Sequence, residues 1–407
     1  YDDKWITYIV SELQGIMLTH PDTNTDALGD AYEILIPSSL KGESGQFFTP
    51  RSVVRFAISV INPNYRKKEL ILDTACGSGG FLTVALESIL NQIRALYPQR
   101  NRDGQRLLLK DYAGKYIHGL DVEPLLFKIA KSYMAILGDG KTNIYQNVSL
   151  QAIEKFPARF NEKIHPGTVD IITTNPPFGT KIDITDKDVL SLYELGHKLN
   201  NGTPTNELLE GQDPDKLFLE RDITFLKEPT NDTDGGRMVI VLPKQNLSGA
   251  EDDSIELRKW ILSKVDVYAV IDLPREAFQP HTGTKTSLLF CRKAKNVNKN
   301  TNVFMAVSEA VGHDRRGKVL YKKDNNGEVL LDEFGKKVIW NDLPFILEQY
   351  RKFENGESLS NNCGKDGNPS CFIVEKSQIH NDPSHRLDAW YWDPDKNELA
   401  KSLMDST

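Results

Sequence analysis

Val169-Asp-Ile-Ile-Thr-Thr-Asn175-Pro-Pro-Phe178 passes from an apolar run to a rigid tip within ten residues, and that change decides the fold around it. Val169, Ile171 and Ile172 form a short β-branched stretch suited to a strand buried in an α/β sheet. Pro176 and Pro177 end it, because each has a fixed φ and no N–H to give to a ladder. The Pro176 carbonyl is left available as an acceptor, beside the side-chain oxygen of Asn175 and the flat ring of Phe178. Such a corner fits a planar ring carrying an exocyclic amine. The lone pair of that amine is delocalised into the ring. Two acceptors that hold its N–H bonds out of plane would localise the pair on nitrogen, while a stacked phenyl ring fixes the base. Taken alone, the same residues also fit a strand-ending turn with Phe178 in the core.

Upstream lies Glu69-Leu-Ile-Leu-Asp73-Thr-Ala-Cys-Gly77-Ser-Gly79-Gly80-Phe-Leu82. Its apolar run leads through Asp73 into a glycine-rich turn, and Phe81 to Leu90 reads as the following helix, a nucleotide-binding β-turn-α. It is not the dinucleotide fingerprint, whose third glycine would fall at Leu82. The turn instead suits the amino-acid end of a smaller cofactor passing close to its glycines. Asp73 either faces a cationic ammonium or sulfonium group or caps the turn. A second strand-like run, Tyr116 to Leu120, ends at Asp121, placed to accept ribose hydroxyls or to cap the helix beginning near Pro124. The long separation of Asp73 from Asp121 is attributed to Pro98 to Arg106, read as a polar surface loop.

The glycine turn, the Asn175-Pro-Pro-Phe178 corner and Gly45-Gln-Phe-Phe-Thr-Pro-Arg51 together resemble the adenine-N6 DNA methyltransferases, specifically the modification subunit of type I restriction-modification systems. The resemblance runs from about Leu28 to beyond Lys293. It implies a class I S-adenosylmethionine-dependent methyltransferase fold, with seven strands in a doubly wound, mostly parallel sheet. It implies S-adenosylmethionine as methyl donor, S-adenosylhomocysteine as product and no metal. The implied donor contacts are Gln46, Phe47, Phe48, Thr49, Pro50 and Arg51, then Asp73, Ala75, Cys76, Gly77, Ser78 and Gly79, and Asp121. Asn175, Pro176, Pro177 and Phe178 would hold a flipped adenine. Double-stranded DNA is the implied substrate, a separate specificity subunit the reader of sequence, and a restriction subunit a further partner. Two stretches depart from the pattern or match it loosely. Val148 stands near the place where related enzymes carry an acid after the third strand, leaving the contact to the donor adenine unassigned among Asn147, Ser149 and backbone. Phe278 to Phe290 resembles the family's loop near the target base and equally fits a glycine hairpin turn.

Composition agrees with this reading. At 407 residues and 39% hydrophobic content the chain can bury one large α/β core. No stretch is apolar enough to span a bilayer and no secretory signal leads it, so a cytoplasmic protein without membrane contact is expected. Opening at Tyr1 rather than methionine, it reads as trimmed at its start. Four cysteines without paired metal spacing and eight scattered histidines point to reduced thiols and no structural zinc. A formal net charge of -7 is unusual for a protein that grips duplex DNA alone, since phosphate neutralisation supplies most non-specific affinity. DNA binding is therefore expected to need a partner. Positive charge gathers at Arg292 to Lys299 and at His313 to Lys318, either along a nucleic-acid channel or in solvated loops.

Three divisions follow along the chain. Residues 1–45 have the apolar spacing of a helical segment, 46–345 alternate strand and helix signals, and 346–407 form a linker and tail that face a partner or lead to a further domain. Lys181 to Gln212 reads as an ordered lid or a mobile loop contacting DNA, and its turn-rich Asn200 to Pro204 favours the mobile loop. His385 to Pro394 is aromatic, as though a partner or a following domain covered it, or it packs on the catalytic domain. Readings that compete with type I modification are a methyltransferase fused to or paired with another specificity domain, an Asn-Pro-Pro-Phe enzyme acting on protein glutamine or RNA, and a non-catalytic scaffold.

Overall fold

The computed structural model describes residues 48–396 apart from 138–142, 180–182, 232, 296–300, 325 and 366. The expected helical segment 1–45, with Gln46 and Phe47, lies outside the described residues. In chain order the main elements are α1 (Arg51–Ile61), β1 (Ile71–Asp73), α2 (Gly80–Leu96), α3 (Arg102–Tyr116), β2 (Ile117–Asp121), α4 (Pro124–Leu137), β3 (Asn143–Gln146) and β4 (Ile171–Thr174). Then come the hairpin β5 (His197–Asn200) and β6 (Thr203–Leu208), α5 (Pro214–Phe225), β7 (Arg237–Pro243), α6 (Asp252–Lys264), β8 (Asp266–Asp272) and β9 (Thr286–Arg292). β10 (Asn302–Val307), α7 (Leu343–Glu354) and β11 (Ser370–Glu375) complete the set.

The central sheet runs β11-β10-β8-β9-β7-β4-β1-β2-β3. From β3 to β7 every pair is parallel. β9 lies antiparallel between β7 and β8. The expected seven-strand, doubly wound core is thus present, and two strands extend it: β10 parallel to β8, then β11 antiparallel to β10. The strands read as continuous apolar runs because both faces are covered. Successive residues point to opposite sides, so Ile71, Ile171, Val239 and Val241 enter one core cluster while Leu72, Ile172, Met238 and Ile240 enter the other. Each such side chain, fully buried, contributes roughly 1.5–3 kcal/mol.

Three expectations are corrected. The stretch 98–106 is not simply a loop: α3 begins inside it at Arg102, where Asn101 caps the helix by accepting from Gly104 N. Two helices, not a loop, account for the distance in sequence between Asp73 and Asp121. Over its described residues, 183–212, the insertion after the Asn-Pro-Pro-Phe corner is held in place, not mobile. Glu256 accepts from Gly202 N at 2.6 Å, Glu194 accepts from Trp260 Nε1 at 2.7 Å, and Glu220 accepts from the backbone of Glu194 and Leu195. These acids satisfy buried or half-buried donors that sequence pattern places nowhere in particular. The boundary at 345/346 is not a break either, since α7 runs through it and β11 beyond it adds a strand to the sheet.

The aromatic tail packs on the domain. Arg258 donates to Ser384 O, Leu387 N to Leu247 O, and Trp390 N to Asp272 Oδ2, while Trp390 itself stays 52% exposed. Among the described residues no helix is long and apolar enough to cross a membrane.

Candidate active site

A cavity of about 310 Å³ opens where the carboxyl ends of β1 to β4 converge. Its floor is the turn after β1. Gly77 and Gly79 adopt φ of 53° and 88°, and Gly79 is the residue from which α2 departs. Asp121 ties the second strand to this turn by accepting from Gly77 N at 2.8 Å through one oxygen and from Glu123 N at 2.9 Å through the other. It therefore lines the cavity and also organises the entry to α4. Gly119, inside β2, is under a different constraint: a Cβ there would stand 2.7 Å from Leu82 Cδ1, 2.9 Å from Ile144 Cδ1 and 3.1 Å from Cys76 Sγ, so a larger residue would push these side chains aside.

Of the expected donor contacts, Phe48, Thr49, Asp73, Ala75, Cys76, Gly77, Ser78 and Asp121 all line the cavity. Pro50, Arg51 and Gly79 do not. Pro50 accepts from Val54 N at the start of α1, and Arg51 turns away to donate to Thr83 Oγ1 and Tyr133 Oη and to pair with Glu87. Arg51 thus clamps the Phe48-Thr49 wall onto α2 and α4.

At the corner the four expected residues separate. Asn175 and Pro177 line the cavity. Pro176 is buried, and Phe178 is fully buried in the core, its ring edge-on to Phe278 with centroids 5.9 Å apart. The expectation of Phe178 as an open stacking face is corrected for this conformation, because burying its ring against Phe278 removes more apolar surface from water than facing the cleft does.

Sequence reading missed one whole wall. Ile184 from the insertion, with Pro214 and Phe218 from α5, faces the turn across the cavity. Pro214 at the first position of a helix was a readable helix start, but nothing in the sequence aims that helix at the turn. The stretch from Asn147 to Leu150 also lines the site, with Ser149 Oγ donating to Thr74 O. Val122 and Leu126 add apolar surface below Asp121.

Charge within the cavity is one-sided. Asp73 and Asp121 line it, and among the described residues no Lys, Arg or His does. Burial pushes the Asp73 carboxyl up to about 8, and the neighbouring Asp121 adds to this, against the hydrogen bond from Ala75 N. Asp121 is raised too by burial, held back by the backbone donors of Glu123 and Gly77. Beneath both, fully buried Asp222 on α5 accepts from Thr74 Oγ1 at 2.7 Å, and burial holds its carboxyl well above the usual range. The Cys76 thiol is likewise driven up by burial, which removes it as a nucleophile. Acid-lined, mostly apolar and glycine-floored, the cavity suits a ligand with a nucleoside end and a positive charge that would draw these carboxyls toward their ionised form.

Comparison with known proteins accords with this geometry. The model of the N-6 DNA methylase family matches residues 23–344. The EcoEI type I restriction enzyme methylase subunit of Escherichia coli is 30% identical over 270 residues, which cover 66% of this chain and 46% of that one. The MjaIX methylase subunit of Methanocaldococcus jannaschii is 24% identical over 362 residues, covering 88% and 54%. The chain thus spans about half the length of these relatives. Among solved structures, a type I restriction-modification methyltransferase subunit from Streptococcus thermophilus shares the fold with a TM-score of 0.58 at 19% identity, covering 89% of this chain and 63% of that one. With the glycine turn, the acid-lined cavity and the Asn-Pro-Pro-Phe corner all inside the matched span, the chain belongs to the N-6 DNA methylase family.

Proposed function

We propose that this protein transfers a methyl group from S-adenosylmethionine to N6 of an adenine flipped out of duplex DNA, as the modification subunit of a type I restriction-modification complex. The observation that carries the proposal is the meeting of Asn175 and Pro177 with Asp73, Gly77 and Asp121 on one cavity. S-adenosylmethionine, when bound, supplies an electrophilic methyl group on a cationic sulfur. Asp121 would hold the ribose, Asp73 and the backbone of the glycine turn the cationic amino-acid end, and Val122, Leu126 and Phe218 the apolar face of the nucleoside. Across the cavity, the Asn175 side chain and the Pro176 carbonyl would take the two N–H bonds of the target amine. Drawing those bonds out of the ring plane localises the lone pair, so attack needs positioning more than a strong base. Phe178, wedged against Phe278, would stiffen the corner from behind. Unpairing the base costs a few kcal/mol. On a chain of net charge -7 that cost would be offset by contacts a specificity subunit adds.

Tritium transfer from labelled donor to DNA tests this, with and without a co-expressed specificity subunit. Label is expected at adenine N6, and Asn175→Ala is expected to lower the rate by at least the roughly 10²–10³-fold typical of losing one group that stabilises the transition state. Label on protein or RNA would redirect the reading to another amine, and donor binding with no transfer to any substrate would make the chain a scaffold.

A further inference from the structure

Between β10 and α7 the chain builds a projection that has almost no core. Residues 311–341 contain three copies of one turn: Asp314-Arg-Arg-Gly317-Lys318, Asp324 to Glu328 and Asp332-Glu-Phe-Gly335-Lys336. In each, the aspartate Oδ1 accepts from the backbone N–H groups two and four residues on, as from Arg316 N at 2.8 Å and Lys318 N at 2.9 Å. The glycine takes a positive φ in all three. The turns are joined by two tiers of backbone hydrogen bonds. In one tier Gly312 N donates to Trp340 O, Trp340 N to Leu320 O, and Leu320 N to Gly312 O. In the next, Lys322, Leu330 and Val338 repeat the same triangle at 2.9 Å each. Backbone bonding, not apolar burial, makes this a finger of fixed shape.

Its root stands at the cleft. Ser52, three residues past the cavity-lining Thr49, donates from Oγ to Val311 O at 2.7 Å. A Cβ on Gly317 would lie 3.9 Å from Cδ of Pro280, two residues beyond the Phe278 that backs the Asn-Pro-Pro-Phe corner. On a chain of net charge -7 the finger carries seven cationic side chains against five acids, and three of those acids are the turn aspartates already occupied by backbone. Lys318, Lys323 and Lys336 are exposed, and the ring of Phe334 is 78% exposed at the third turn beside Lys336 and Lys337. The other basic run shows the opposite arrangement. Arg292 pairs with Asp266 and Asp234, and Lys293 with Glu228, at the amino end of the sheet, away from the cavity.

We propose that residues 311–341 lie along duplex DNA beside the cleft, the lysines meeting phosphates and Phe334 meeting a sugar or base face. Cations interleaved with an exposed aromatic ring on a rigid support suit a nucleic-acid backbone. The inference rests on the methyl-transfer reading above and adds where the duplex is held.

The test measures DNA affinity against salt concentration for the chain co-expressed with its specificity partner. Lys318→Glu, Lys323→Glu and Lys336→Glu combined, with the Gln versions as a milder set, are expected to flatten the log–log salt dependence by about 0.9 for each phosphate that is no longer neutralised. Phe334→Ala is expected to weaken binding by about tenfold with the slope kept, within the range for one stacked base. Donor affinity and methyl transfer at saturating DNA should match the parent protein in all of them. An unchanged slope in both lysine sets, with the parent active, overturns the proposal. So does loss of the specificity partner with the slope intact, which would make the finger a protein-docking surface. If the parent complex itself neither binds DNA nor transfers methyl, it is the functional reading that fails.

Discussion

The two sides of the cavity are built in different ways. On the donor side, Asp73, Gly77 and Asp121 are held by hydrogen bonds between the ends of two adjacent strands: Ala75 N to Asp73, Gly77 N and Glu123 N to Asp121, Cys76 N to Leu120 O. On the target side, the Asn175-to-Phe178 corner is held by packing, with Phe178 buried against a ring 100 positions later in sequence. The first wall is stiffened by polar groups that also face the cavity. The second is stiffened from behind by Phe178 and Phe278, which do not line the cavity. A change behind the corner should therefore cost stability, whereas a change in the donor wall should cost affinity.

The largest effect that can break this contrast is at Phe178. Phe178→Ala removes a fully buried ring and is expected to destabilise the protein by about 3–5 kcal/mol, read as a shift in the urea midpoint, with Phe178→Leu recovering much of it. If Phe178→Ala instead leaves stability intact and abolishes transfer, the ring meets the substrate and the contrast collapses. A smaller effect is expected at Asp121. In the proposed role it would accept from the ribose hydroxyls, and a hydrogen bond to a charged group is worth roughly 1.5–3 kcal/mol. Asp121→Ala should accordingly weaken donor binding about ten- to a hundredfold, measured by calorimetry, while slowing transfer at saturation much less. Unchanged donor affinity would detach Asp121 from the ribose.

The same contrast explains what the sequence made legible. Strands with β-branched runs, a glycine turn and an acid at a strand end are local signals, so Asp73, the glycine turn and Asp121 are legible in the pattern, while Phe48, Thr49, Ala75, Cys76 and Ser78 are expected only through the family resemblance. Ile184, Pro214 and Phe218 reach the site only through the packing of the insertion and α5, which no local period encodes. Phe178 shows the limit most plainly: an aromatic residue after two prolines has the same pattern whether its face is open or buried, and Phe278 decides the matter from afar. The insertion reads as mobile because Asn200 to Pro204 is rich in turn residues, yet Glu194, Glu220 and Glu256 pin it through partners on α5, on α6 and in the insertion itself. Of the finger at 311–341 only the basic run His313 to Lys318 stands out in the sequence, as a channel lining or a solvated loop, and the tiers that join its three turns are not legible there.

The smallest effect, and the one that probes the donor wall most directly, is the pH dependence set by Asp73. Burial raises its folded-state value to about 8, far above an unfolded aspartate, so between roughly pH 4 and pH 8 the folded protein keeps a proton that the unfolded chain releases. This stabilisation is complete at low pH and is lost as pH rises toward 8. Asp222, raised in the same direction beneath Thr74, reinforces it, and Asp121 and Cys76 face Asp73 without supplying a positive charge. A cationic donor reverses the preference, since it favours the ionised carboxylate. Its affinity should therefore rise with pH from 6 to 8, by no more than tenfold per unit for one proton released, and level off above. Asp73→Asn keeps an oxygen for Ala75 N but cannot ionise, so the rise should flatten and the proton release seen on donor binding in buffers of different ionisation enthalpy should disappear. A pH dependence that survives Asp73→Asn would move the coupled proton to Asp121 or Asp222 and leave Asp73 as a brace for the turn.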